Sequence, residues 1–227
     1  MGKVKKISVS TTPNFTSIQR LVFNEFSKNK ILRERFYFTG GTALSAFYLT
    51  HRESEDLDFF SESNFENKLT DKFIEHIAET LKLESRLTQI NDTRIYELSK
   101  GKRLIIKIDF NTYPYRRLKK GLKFQEVTVD NLFDIATNKL QTIISRTQVK
   151  DFVDLYFLLQ KFSFWDLLYG VKEKFRMDDD LVLLSSNFLQ VKQFDTLPKM
   201  LVPLTLKELK DFYMELAKKI GKRITEK

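Results

Sequence analysis

Apolar side chains recur along this chain at helical spacing, then at alternate positions, then at helical spacing again. Ile18, Leu21, Val22 and Phe26 share one face of a helix predicted over 18–30. A short strand over 35–39 ends at Gly40-Gly41, and Leu44, Phe47 and Tyr48 mark a second helix over 42–50. A strand follows over 56–60. From Asn64 or Phe65, a third helix carries Phe73, Ile74, Ile77 and Leu81. Three strand-like runs, 83–90, 94–98 and 103–110, are joined by Asn91-Asp92 and Lys100-Gly101, which suit tight hairpins. A basic loop over 113–120, broken by Pro114, leads to a strand near 124–127.

The remainder reads as helical. Asp130 is placed to cap a helix reaching Arg146, with Phe133, Ala136, Leu140 and Ile144 as its buried stripe. Further helices are predicted over 151–161 and 164–175, and the acidic Asp178-Asp179-Asp180 opens another, where carboxylates satisfy free amides. Thr205 and Glu208 form a capping-box pattern ahead of Leu206, Leu209, Phe212 and Leu216. The reading is an α+β (α/β) chain: a mixed β-sheet with flanking helices over 1–128, then a helical bundle over 129–227.

Composition narrows the chemistry. A chain of 227 residues that is 42% hydrophobic, with 21 Phe, can bury a core. It has no Cys, which removes disulfides and thiolate metal sites, and its two His, His51 and His76, make a His-rich zinc site a poor fit. The first dozen residues are basic and then Ser/Thr-rich, without the apolar stretch of a secretory signal, and no apolar run suits a spanning helix. A cytoplasmic protein without a membrane partner is the expectation. The net charge of +9 suits a polyanionic partner or simply a Lys-rich solvated surface. The run Arg116-Arg117-Leu118-Lys119-Lys120 divides in the same way, between an acceptor-backbone track and a solvated loop, and the loop is the preferred reading.

The sharper signal is acidic. On a strand, Asp56 and Asp58 point to one face while Leu57 and Phe59 face the core. Paired carboxylates of this kind suit a two-metal phosphoryl-transfer site. In the run 104–110, Leu104, Ile106, Ile108 and Phe110 fall on one face, leaving Asp109 on the other with Lys107. A carboxylate in so apolar a strand needs a partner, and a metal ion is one. Chance alone supplies about one Asp-x-Asp in a chain of this composition, so order matters more than the motif. Here a strand, Gly-Gly, a helix, a strand with Asp-x-Asp and a later strand with one Asp come in sequence. Glycines at a helix start let a triphosphate approach backbone amides.

Phe38-Thr39-Gly40-Gly41-Thr42-Ala43-Leu44, followed by the run His51-Arg52-Glu53-Ser54-Glu55-Asp56-Leu57-Asp58-Phe59-Phe60, resembles the first motif of the AbiEii/AbiGii toxin family. That family belongs to the DNA polymerase β-like nucleotidyltransferases. Ile108-Asp109-Phe110 is similar to its second motif, and Lys139, Arg146, Lys150-Asp151 and Asp154-Leu155 to its downstream basic and Lys/Arg-Asp segments. The resemblance implies an enzyme that moves a nucleoside monophosphate from an NTP to RNA, tRNA or a protein hydroxyl. It also implies a toxin–antitoxin or abortive-infection setting with a cognate antitoxin. Carried over, Asp56, Asp58 and Asp109 are the catalytic and metal residues, holding two Mg2+ ions. Asp109 would also help deprotonate the acceptor. Gly40, Gly41 and Thr42 would cradle the triphosphate and Lys139 would contact its phosphates, with Arg52 and Asp151 as further nucleotide-site positions.

The residues themselves leave other roles open. Lys139 and Arg146 share a helical face and suit phosphates or solvent. Asp151 suits an N-cap and Asp154 a first helical turn. Arg52 is near enough in sequence to pair with Glu55, and His51 reads as structural. A nucleotide- or nucleic-acid-binding module that keeps the fold without turnover is the alternative. An Asp-x-Asp phosphatase fits poorly, because its aspartates would follow the first strand without an intervening Gly-Gly helix.

Overall fold

Alternation sorts the strands into two chemistries. Phe38, Phe59 and Phe110 point to one side of the sheet, and Thr39, Asp58 and Asp109 to the other. The computed structural model describes residues 12–177 and 180–225; the stretch 1–11 and Asp178-Asp179 lie outside them. Seven strands form one mixed sheet: β1 (Tyr37–Thr39), β2 (Leu57–Ser61), β3 (Glu84–Ile90), β4 (Thr93–Lys100), β5 (Arg103–Thr112), β6 (Leu122–Phe124) and β7 (Val127–Val129). Their order is β3-β4-β5-β2-β1-β7-β6. The β2–β5 and β1–β7 pairs are parallel and the rest antiparallel.

Two helices, α1 (Ser17–Lys28) and α4 (Asn67–Leu81), supply rings to the apolar face. Phe26 stacks on Phe59 at 4.0 Å, Phe59 on Phe110 at 5.4 Å, and Phe73 meets Phe26 edge-on at 5.7 Å. Phe26, Phe59 and Phe110 are fully buried; side chains of this size each gain roughly 1.5–3 kcal/mol on leaving water. That burial fixes register, because a one-residue slip would turn Phe59 out and Asp58 into the core.

The remaining helices are α2 (Lys30–Arg35), α3 (Gly40–Leu44), α5 (Leu132–Ser145), α6 (Val149–Leu158), α7 (Phe164–Phe175), α8 (Leu181–Leu189) and α9 (Leu206–Thr225). α3 runs on into a π-helical turn, Ser45–Leu49. Every element after Val129 among the described residues is helical, while one hydrophobic cluster takes residues from both halves of the chain. None of the described helices is long and apolar enough to cross a membrane.

Several boundaries differ from the sequence reading. The helix expected over 18–30 is two helices, because Asn29 ends α1 and its side chain caps α2 through the Leu32 amide. The strand expected near 124–127 is a β6–β7 hairpin turning at Gln125 and Glu126, both at positive φ. The cap of α5 is Asn131; Asp130 instead accepts hydrogen bonds from the Thr39 hydroxyl at 2.8 Å and the Asn131 amide at 3.0 Å. Asp151 is not an N-cap, since α6 begins at Val149. Asp180 does cap α8, and the Thr205–Glu208 capping box forms with both of its bonds.

The last extended segment closes back on the first motif. The Glu53 amide donates to the Lys199 carbonyl at 2.9 Å, the Leu201 amide donates to the His51 carbonyl at 2.9 Å, and Arg52 bridges Met200. Residues close to the chain's far end thereby strap the loop that leads to Asp56.

Candidate active site

The polar face of the sheet presents its acids in register. Thr39 lies opposite Asp58, and Asp58 opposite Asp109. Neighbouring strands are about 4.8 Å apart, so the Asp58 and Asp109 carboxyls rise from adjacent positions on one face. Asp56, two residues before Asp58, joins them at the mouth of β2.

Gly40 makes room for this arrangement. It sits at φ +75, and a Cβ there would collide with Oδ2 of Asp58. Gly41 has a different reason: its Cβ would stand 2.6 Å from Nη2 of Arg52. The Gly-Gly pair thus lets a helix start press directly on a carboxylate and a guanidinium. Thr42 is buried, and its hydroxyl is bonded to the Asp56 carbonyl and to the Ser54 Oγ at 2.9 Å. In this geometry Thr42 ties down the approach to Asp56 rather than facing the cleft.

Crowding shows in the electrostatics. Burial, with the charges of Asp109 and Asp56 added, pushes Asp58 up to about 7. Asp109 is raised too, chiefly by burial, against the pull of Lys107. Lys107 projects from β5 two residues before Asp109, and its ammonium lies 3.1 Å from Asp109 Oδ2 and 3.2 Å from Asp56 Oδ2. The other oxygen of Asp109, Oδ1, is buried without a hydrogen-bond partner. Among the described residues no three acidic or histidine side chains already close around one point, and the Lys107 ammonium stands between Asp56 and Asp109. The donor set nonetheless suits a hard divalent cation: all its atoms are carboxylate oxygens, and one is an unpartnered buried oxygen.

Opposite the acids, α5 and α6 contribute cations held from beneath. Asp154 is fully buried and takes a forked pair of bonds from Arg52, Nε to Oδ1 at 2.6 Å and Nη2 to Oδ2 at 2.8 Å. His51 Nε2 lies 2.7 Å from Asp154 Oδ1, and Lys139 Nζ lies 2.6 Å from Asp154 Oδ2. Asp151, also fully buried, pairs with Lys139 at 2.8 Å and with Arg146 at 2.9 Å. Burial alone would raise Asp154, but Lys139, His51 and Arg52 hold it far below the usual carboxylate range. Burial lowers His51, outweighing Asp154, so its ring is neutral near pH 7. Three cations against two carboxylates leave the cluster positive.

Both sets line one cleft of about 750 Å³, within the usual range for small-ligand sites. Gly40, Gly41, Arg52, Asp56, Asp58 and Asp109 line it together with Lys139, Arg146 and Lys150, whose ammonium is 4.0 Å from Asp56 Oδ2. Lys199, from the strap, reaches the rim and pairs with Glu53 at 2.6 Å.

The structure therefore gathers Gly40, Gly41, Arg52, Asp56, Asp58, Asp109 and Lys139 around one cleft, and leaves Thr42 and Asp151 behind its walls. Arg52 pairs with Asp154, not with Glu55. The basic run 116–120 is a loop, pinned where the Leu118 and Lys119 amides donate to Asp134 at 2.8 and 2.9 Å, and it does not line the cleft. Sequence reasoning gave no role to Lys107 or Lys150. The signal for Lys107 was present, since it precedes Asp109 by two residues on the same face; Lys150 was marked only as part of the Lys/Arg-Asp segment with Asp151.

A helix entered through Gly-Gly, an Asp-x-Asp on the next strand and a single Asp in register beside it define a protein of the nucleotidyltransferase class. Comparison with known proteins sharpens this to a family. The family model described as "Nucleotidyl transferase AbiEii toxin, Type IV TA system" matches residues 24–221, and the chain belongs to that family. It is 36% identical over 157 residues to protein aq_aa25 of Aquifex aeolicus (strain VF5), spanning 66% of this chain and 71% of that one. Its fold is similar to that of JHP933 from Helicobacter pylori, with a TM-score of 0.53 and 21% identity over 92% of this chain and 93% of the other.

Proposed function

We propose that this protein is a Mg2+-dependent nucleotidyltransferase. It moves a nucleoside monophosphate from an NTP to a hydroxyl of RNA, tRNA included, or of a protein, in the cytoplasm. It serves as the toxin of a pair with a cognate antitoxin. The observation that carries this reading is the register of Asp58 and Asp109 beneath Gly40, whose lack of a side chain is required by the Asp58 carboxylate.

Asp56, Asp58 and Asp109 would hold Mg2+, which, when bound, neutralises phosphate oxygens and polarises the phosphorus. The remaining steps belong to side chains of this chain. Lys139, Arg146 and Lys150 line the same cleft as the acids and suit the triphosphate tail. Asp151 and Asp154 hold Lys139, Arg146 and Arg52 in place and satisfy them from below. The backbone of Gly40 and Gly41 admits phosphate at a helix start. The acceptor hydroxyl attacks the α-phosphorus in line and yields its proton to Asp109; a new P–O bond forms as the bond to the β-phosphate breaks, releasing pyrophosphate.

Incubation with each α-labelled NTP, Mg2+ and total RNA or cell protein tests the reading. Label is expected in one acceptor fraction, and Asp58→Ala should reduce it by at least about a thousandfold. Tight NTP binding with no transfer to either fraction would instead make the chain a binding module.

A further inference from the structure

Lys107 stands where the carboxylate site would otherwise need a cation. Its ammonium is 3.2 Å from Asp56 Oδ2 and 3.1 Å from Asp109 Oδ2, and its side chain is only 25% exposed. Its stem rises from β5 on the same face as Asp109, because residues two apart on a strand share a side. Strand pairing on both sides of β5, with β4 and with β2, fixes that origin. The backbone origin of the side chain is therefore fixed, and two carboxylate contacts hold its ammonium in the acidic cluster. The ammonium already neutralises one carboxylate, and it rests on the Asp56 and Asp109 oxygens that a second divalent ion would need. A second ion would have to share its oxygens with the ammonium or expel it toward Lys150, itself only 4.0 Å from Asp56.

We infer that Lys107 takes the place of one of two divalent ions, so that the chain binds one metal ion with its nucleotide, where three carboxylates could otherwise serve two. The inference rests on the nucleotidyltransferase reading of the site and refines it. Lys107 is a built-in cation that bridges Asp56 and Asp109, and the exchangeable ion belongs at Asp58 and the unpartnered Oδ1 of Asp109. The functional consequence is a site whose metal demand is first order.

The test is a count of bound Mn2+ per chain at saturation, from the loss of free-ion electron paramagnetic resonance signal, in the presence of a non-hydrolysable NTP analogue. The expected stoichiometry is one for the wild type and one for Lys107→Arg, which keeps the charge. Two are expected for Lys107→Met, which keeps the stem and removes the charge, and for Lys107→Ala should Lys107→Met fail to fold. Two ions on the wild type, or one on both neutral variants, would overturn the role of Lys107 while leaving the metal site intact. No ion on a wild type that still binds the analogue would remove the metal-dependent reading as well.

Discussion

At the scale of single residues, two buried carboxyls of this chain show opposite acid–base behaviour, one set by burial and the other by its cationic partners. Asp130 is fully buried and pushed up to about 7 by that burial, with Asp134 adding to the shift. Its folded value lies above the unfolded value near 3.8. Between those values the folded form keeps a proton that the unfolded form has lost, so stability falls as pH rises from about 4 to about 7. Asp58 adds a slope of the same sign in the metal-free protein. Asp130→Asn keeps an oxygen for the Asn131 amide and offers an amide N–H to the Thr39 hydroxyl, and should raise stability at pH 8 by on the order of 2–4 kcal/mol while flattening the pH profile of the melting temperature in EDTA. An unchanged profile would show that Asp130 is ionised without penalty. Asp154 works the other way. Its contribution is complete above the unfolded carboxylate value and is lost only in strong acid, as pH falls through its depressed folded value. Asp154→Ala leaves Arg52 and Lys139 buried and short of a partner; the expected loss is about 3–5 kcal/mol in denaturant unfolding.

At the scale of elements, the Gly-Gly turn is where conformation and chemistry meet. Two glycines with positive φ separate the two effects. Gly101 has open space around it, whereas a side chain at Gly40 meets the Asp58 carboxylate. Gly101→Ala should cost only the backbone term of roughly 1–2 kcal/mol. Gly40→Ala should cost more in stability and also displace Asp58, abolishing transfer; equal thermal shifts for the two variants would remove the steric account. These elements also divide by how plainly the sequence announced them. Alternation in 103–110 and the helical stripe of Phe133, Ala136, Leu140 and Ile144 rest on local spacing, and the structure places β5 and α5 there. The Asn29 break between α1 and α2, and the β6–β7 turn at Gln125-Glu126, were missed because neither carries Gly or Pro, although Asn29 is itself a side chain suited to capping. In the site, Asp56, Asp58 and Asp109 were legible from period-two spacing, which strand pairing turns into proximity. The buried pairing of His51, Arg52 and Lys139 with Asp154 was not, since its members lie far apart in sequence and meet only when α6 docks against the loop before β2.

At the scale of the whole molecule, the sheet half and the helical half share one hydrophobic cluster, from Phe23 and Phe59 through Leu140 and Phe152 to Tyr213. The buried ion pairs also cross that boundary, between Arg52 and Asp154. Unfolding should therefore be a single cooperative transition, with circular dichroism and intrinsic fluorescence melting together; two separated transitions would mean that the halves on either side of residue 128 are independent domains.

The strap gives this arrangement an order in time. A ribosome releases Arg52 and the aspartates well before it makes Met200 and Leu201, so the rim of the cleft is the last part of the site to be closed. An unfinished chain carries every acid of the centre but lacks the clasp on the loop that leads to Asp56.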